Sequence, residues 1–73
     1  MRITYDSEVD ALSITFREPT VTSENIAEGI AADYDSEGRL AGIEISDAVK
    51  RFGDQETLRQ VVIEAIGPSV AAG

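Results

Sequence analysis

The acidic segment between residues 33 and 44 has the composition of a site that could bind a hard cation. Its candidate oxygen ligands are Asp33, Asp35, Glu37 and Glu44. With Gly38 between them, they match the ligand spacing of the 12-residue calcium loop of an EF-hand. The flanking residues alternate as in a β-strand, however, and a similar acidic segment near the N-terminus lacks the later ligands. We therefore predict no metal site here and keep calcium binding as an alternative.

Side chains that support catalysis are scarce. The chain has no histidine and no cysteine, so it lacks an imidazole base, a thiolate nucleophile and the commonest nitrogen and sulfur metal ligands. The carboxylates of Asp6 and Asp35 could act as a general acid and a general base, but a chain this small offers them no evident cleft. We predict that the protein is not an enzyme, has no catalytic residues and binds no cofactor. A carboxylate-based enzyme is a second alternative.

Length and charge limit the classes of partner. The 73 residues suffice for one domain, which we place at residues 1–67 with a short tail at 68–73. Fourteen acidic and six basic residues give a net charge of −8, which repels nucleic acid and anionic membranes and favours a small basic protein as partner. No segment approaches the roughly 20 apolar residues of a membrane span. We expect a cytoplasmic protein.

A short repeat indicates the fold. The sequence Tyr-Asp-Ser-Glu occurs at residues 5–8 and again at 34–37, and each copy lies between two alternating apolar segments. Alternation with a period of two is typical of half-buried strands, and the acidic residues between them are turn formers. Each copy therefore predicts a β-hairpin.

Four strands follow from this alternation. They are predicted near residues 3–5, from 12 to about 18, at 30–34 and at 40–45, with a β-bulge near Gly42 because Leu40 differs in parity from the apolar residues after it. Residues 20–29 are mostly polar, and we expect a connection there with one helical turn at 23–26.

The C-terminal part predicts two helices. The first covers residues 47–52, is capped by Ser46 and ends at Gly53. The second begins after Asp54 and ends at Gly67 and Pro68; its apolar residues have helical spacing and are Leu58, Val61, Val62, Ala65 and Ile66. The predicted class is α+β: a four-stranded antiparallel sheet from two hairpins, with a short helix and a C-terminal amphipathic helix packed on the sheet.

These residues also carry a family resemblance. Tyr5, Asp6, Glu8, Asp10 and Leu12 form the first part of a motif, and its second part includes Gly-Ile-Glu-Ile at residues 42–45. The pattern covers about residues 1–50 and resembles the small bacterial family DUF2283. The resemblance implies a fold type and a bacterial origin, without an established activity, catalytic residue or cofactor. Members are often encoded beside small toxin-like proteins, which suggests an antitoxin role.

The leading functional hypothesis is a non-catalytic protein-binding or regulatory module. We also expect a homodimer, because the apolar stripe of the last helix is larger than such a short chain can hide alone. Direct binding of nucleic acid and association with a membrane are not expected.

Overall fold

The computed structural model describes residues 1–64, which contain one antiparallel sheet of five strands. The strands are β1 (Arg2–Asp6), β2 (Ala11–Thr15), β3 (Thr22–Ala27), β4 (Ile30–Tyr34) and β5 (Leu40–Ser46). They are followed by a helix, α1 (Ala48–Phe52), and a 3-10 helix (Glu56–Arg59). The strand order is β1-β2-β5-β4-β3, so β1 and β3 are the two edges of the sheet.

The strand register separates an apolar face of the sheet from a polar one. Leu12 of β2 lies opposite Tyr5 of β1 and Ile45 of β5, and residues opposite one another in an antiparallel sheet share a face. Following the register across the sheet, the apolar face consists of Ile3, Tyr5, Leu12, Ile14, Ile30, Ala32, Ile43 and Ile45. The polar face includes Thr4, Ser13, Thr15, Ser23, Asp33 and Glu44.

The structure confirms the two predicted hairpins and the bulge. β1 pairs with β2, and β4 pairs with β5, across the two copies of the repeated turn. Tyr34 lies opposite Leu40 and Asp33 lies opposite Gly42, so Ala41 is the extra residue of a β-bulge. Because of the bulge, Ala41 is completely buried whereas Leu40 is 42% exposed.

The prediction of a four-stranded sheet is wrong, because the segment taken as a connection contains β3. This strand covers the expected helical turn at residues 23–26 and pairs with β4. All six of its residues are exposed. A strand at the edge of a sheet can leave the side chains on both of its faces in water. β3 therefore carries no apolar alternation from which a strand could be predicted. β2 is also shorter than expected and ends at Thr15.

The prediction of a C-terminal amphipathic helix is also wrong within residues 1–64. Asp54 Oδ1 accepts hydrogen bonds from the backbone nitrogen and the hydroxyl of Thr57, at 3.1 and 3.0 Å, but only the 3-10 helix follows. Gln60 is extended, with φ −132° and ψ 123°. The three β-branched residues after it, at 61–63, have low helix propensity. Ala65, Ile66, the predicted end at residues 67–68 and the proposed domain boundary lie outside the described residues.

The first predicted helix is present and packs on one end of the sheet. α1 ends at Gly53, as predicted, but Asp47 is its N-cap residue, and Ser46 is the last residue of β5. The backbone nitrogen of Ala48 donates to the carbonyl of Asp10 at 3.0 Å, which attaches α1 to the turn between β1 and β2. Arg51 donates to the carbonyls of Ser46 and Glu28, both at 2.7 Å, and so holds the turn between β3 and β4 to the same end.

The core is thin, as expected for a short chain. The buried apolar residues among those described are Leu12, Ala32, Ala41 and Ala48. Three of the four are alanines, so little large apolar surface is removed from water. Within residues 1–64, no helix has the length and apolar character needed to cross a membrane.

Candidate functional site

A groove on the apolar face is the first candidate site. It lies between the side chains of β1 and β2 and the segment that follows α1, and it has a volume of about 540 Å³. We call it the apolar groove; its main lining residues are Ile3, Tyr5, Leu12, Ile14, Leu58 and Val61. A concave, mainly apolar surface of this kind is typical of binding sites.

Several groove side chains remain in contact with water. Ile3 is 42% exposed, Val61 is 61% exposed and Val62, which also lines the groove, is 63% exposed. Each Å² of apolar surface removed from water contributes roughly 25 cal/mol. Covering these side chains with a partner would therefore stabilise a complex.

A hydrogen-bond cluster around Asp10 fixes one wall of the groove. Its Oδ1 accepts hydrogen bonds from the Tyr5 hydroxyl at 2.7 Å and from the Val49 backbone nitrogen at 2.8 Å. The Val49 N–H and, next, the Tyr5 hydroxyl lower the pKa of Asp10, and the same hydrogen bond raises the pKa of Tyr5. The cluster holds the tyrosine ring in the groove and anchors α1. From the sequence, Asp10 was expected only as a turn former and as part of the family motif, because its partner Val49 is 39 residues away along the chain.

Asp35, a candidate for both metal binding and catalysis, stabilises its own hairpin. Its Oδ1 accepts from the backbone nitrogens of Glu37 and Arg39, and its Oδ2 from the Arg39 guanidinium, all at 2.9 Å. The Arg39 N–H is the largest cause that lowers the pKa of Asp35. Asp6 lies at the opposite end of the sheet, since it pairs with Ala11, so the two carboxylates do not face a common substrate.

The four candidate calcium ligands are distributed over the hairpin between β4 and β5. Asp33 and Glu44 are on the polar face, Asp35 folds back onto the turn, and the Glu37 carboxylate lies 2.7 Å from the Arg39 guanidinium. In the part of the chain that the structure describes, no three acidic side chains converge as ligands of one ion. The segment forms a β-hairpin instead of a calcium loop.

Asp33 and Glu44 form a carboxyl pair on the polar face. Asp33 is only 8% exposed, and the Ser23 hydroxyl donates to its Oδ1 at 2.5 Å. A hydrogen bond with Asp33 is the main cause that raises the pKa of Glu44, followed by desolvation and by the Asp33 charge. The pair lines a second groove of about 430 Å³ together with Ser13 and Thr15. Chemically, it can share a proton or accept hydrogen bonds from a cationic group.

Together these features define, within residues 1–64, one small sheet with an apolar groove on one face and a carboxyl pair on the other. The chain belongs to the family described as Protein of unknown function (DUF2283), whose model matches residues 2–48. The resemblance expected from the sequence motif is thus confirmed. No curated protein and no solved structure matches the chain.

The family match divides the apolar groove. It includes all five strands and ends at the first residue of α1, so Ile3, Tyr5 and Leu12 are inside it. Leu58 and Val61 are outside it. One wall of the groove therefore belongs to the family's sheet, and the other is formed by residues outside the match.

Proposed function

We propose that the protein is a non-catalytic, antitoxin-like binding module, which regulates a partner protein by holding it in the apolar groove. The exposure of the groove side chains is the observation that supports this proposal: Ile3, Val61 and Val62 are each at least 42% exposed. Large apolar side chains that cluster in a concave surface and remain wet mark interaction sites.

The partner is a small basic protein with an apolar segment. All charged residues lie within residues 1–64, and their net charge of −8 attracts a basic partner over the distance of the Debye length. Electrostatic attraction of this kind mainly accelerates association, whereas burial of apolar side chains slows dissociation. Charge therefore selects the partner, and the groove retains it.

The test begins with affinity capture of the tagged full chain from a lysate of its own organism, followed by mass spectrometry of the proteins eluted at low and high salt. The smallest basic protein recovered is then purified and titrated against the wild type and two variants. Val61→Asp places a charge in the apolar groove, and Val21→Asp places the same charge at a site outside it. These valines are 61% and 56% exposed, so the two substitutions are closely matched.

We expect Val61→Asp to raise the dissociation constant about tenfold or more, because burying an unpaired carboxylate is costly. Val21→Asp should leave the dissociation constant unchanged. Equal binding by all three proteins would contradict the proposal, as would the failure to recover any basic protein. Circular dichroism of both variants provides the control for folding.

A further inference from the structure

Within residues 1–64, no strand pairs with the outer edge of β1, and the two charged side chains of this strand, Arg2 and Asp6, have opposite signs. Among the described strands, β1 has β2 as its only neighbour, and its pairing with β2 is regular from Arg2 to Asp6. It contains no proline, no lysine and no bulge. Apart from the half-buried Tyr5, its residues are exposed. Such an edge presents unpaired backbone groups to another strand.

The sequence of β1 is complementary to itself in the antiparallel direction. If two copies meet about a two-fold axis at Thr4, Arg2 of each lies opposite Asp6 of the other. In the same register Ile3 lies opposite Tyr5, and the two Thr4 residues face each other. Opposite charges, an aliphatic residue against an aromatic one, and a pair of threonines are all favourable cross-strand pairs.

We propose that β1 pairs with β1 of a second copy of this chain, so that two five-stranded sheets join into one continuous sheet. A two-fold axis perpendicular to the sheet leaves both apolar faces on the same side. On that side of the junction, Ile3 of each copy lies opposite Tyr5 of the other, and both residues line the apolar groove. The two grooves of the dimer lie on one side of the combined sheet.

Local charge permits this contact despite the acidity of the whole chain. The charges of Arg2 and Asp6 cancel within β1, so two β1 strands meet without net charge. Arg2 already contacts Glu18 at 2.5 Å, but both side chains are more than 60% exposed. A guanidinium has five N–H donors and can bind a second carboxylate.

The opposite edge of the sheet, β3, does not have these properties. Its pairing with β4 is interrupted by an irregularity between Asn25 and Ala27. A two-fold pairing centred on Glu24 would place two carboxylates opposite each other, which is destabilising. β1 is therefore the edge that fits a second copy.

Charge exchange tests this contact. In sedimentation experiments at high micromolar concentration, we expect the wild type to be a dimer. Arg2→Asp or Asp6→Arg should raise the dissociation constant of the dimer about tenfold or more, because each substitution places two like-charged pairs at the interface. An equimolar mixture of the two variants should dimerise again, because each carries the charges that complement the other. The double variant with both substitutions should also dimerise.

Control variants distinguish an effect on the dimer interface from an effect on folding. Glu18→Gln removes the contact of Arg2 with Glu18 without changing β1, and it should leave dimerisation intact. Asp6→Arg also removes a 3.0 Å hydrogen bond from the Glu8 backbone nitrogen, but the double variant lacks this bond too, so its recovery isolates the effect of charge. A monomeric wild type, or a dimer that tolerates both single substitutions, would overturn the proposal.

A cross-link gives an independent result. The chain has no cysteine, so Thr4→Cys introduces one thiol, which the two-fold axis places opposite its copy. Oxidation should yield a disulfide-linked dimer for Thr4→Cys and little for Glu24→Cys at the β3 edge. Similar yields for the two would contradict pairing through β1. Val61→Asp should not affect either result, so loss of the dimer and loss of partner binding are distinguishable.

Discussion

The hydroxyl of Tyr5 and the carboxylate of Asp10 are joined by a 2.7 Å hydrogen bond that connects the apolar groove to the helix packed on the sheet. The same Asp10 oxygen accepts the backbone N–H of Val49, and Asp10 adopts a left-handed backbone conformation with φ 53°. One residue thus supports the β1–β2 turn, the start of α1 and the orientation of a groove side chain. The geometry of the groove depends on a contact between residues far apart in the sequence.

Asp10→Ala should destabilise the protein because it removes both hydrogen bonds and leaves the Val49 N–H without this acceptor. Asp47→Ala is the matched control: Asp47 has nearly the same φ, 54°, and its side chain makes no cap hydrogen bond. The backbone strain of alanine is therefore similar at the two sites. In urea unfolding, we expect the larger loss for Asp10→Ala. Equal losses would show that the Asp10 hydrogen bonds contribute nothing.

Asp35 should make the protein sensitive to acid. Its hydrogen bonds hold its pKa below the ordinary value, so its stabilising contribution is present above the pKa of the unfolded chain, about 3.9, and is lost as the pH falls through the folded value. Asp35→Asn should therefore be less stable than the wild type near neutral pH, and the difference should shrink below about pH 4. Urea unfolding at a series of pH values measures this difference. A difference independent of pH would contradict the expected linkage.

Glu44 should have the opposite pH dependence. Its pKa is raised by Asp33, so its contribution is fully present below the unfolded pKa of about 4.3 and is lost as the pH rises through the folded value. Glu44→Gln keeps a hydrogen-bond donor for Asp33 at every pH. We expect this variant to gain stability over the wild type as the pH rises from about 4 to 7.

The control for this experiment is Glu8→Gln, which removes the same charge from an exposed residue in the turn between β1 and β2. Both variants change the net charge of −8 equally, so a general effect of repulsion would appear in both. A gain confined to Glu44→Gln indicates the carboxyl pair. Equal gains would attribute the effect to net charge alone.

Gly29 should tolerate a side chain less well than Gly38. Both have positive φ, 76° and 77°, so alanine costs about 1–2 kcal/mol of backbone strain at either site. A Cβ at Gly29 would in addition overlap the guanidinium of Arg51, whereas a Cβ at Gly38 has nothing within 4 Å. Gly29→Ala should therefore reduce the free energy of unfolding by more than Gly38→Ala. Equal values would show that Arg51 moves aside without cost.

Much of the sheet could be predicted from the sequence because its signals are local. Alternating apolar residues around the repeated turn located β1, β2, β4 and β5, and the parity change at Leu40 located the bulge. β3 was missed because all its residues are exposed, so its position depends on pairing with β4. The expected C-terminal helix relied on the spacing of apolar residues, whereas Gln60 is extended and the described chain has no regular structure from there to Glu64.

The candidate site was less predictable, because its parts meet through long-range contacts. The sequence placed Asp33, Asp35, Glu37 and Glu44 in one acidic segment, but strand geometry directs Asp33 and Glu44 to the polar face and turns Asp35 toward Arg39. Leu58 and Val61 were expected on a helix packed on the sheet; they do line the groove beside β1 and β2, but Leu58 lies in a 3-10 helix and Val61 follows the extended Gln60. Spacing along a chain does not specify which side chains converge.

The sequence by itself determined the hairpins, the net charge of −8 and the family to which the chain belongs, because each depends on residue type or short-range order. Only the tertiary structure decided that β2 lies beside β5 and that β1 and β3 are the edges of the sheet formed by residues 1–64. Strand neighbours are chosen by backbone pairing and by burial of the apolar face across the whole sheet, and neither is encoded in a local pattern. That choice places β1 at an edge of the described sheet and assembles the apolar groove.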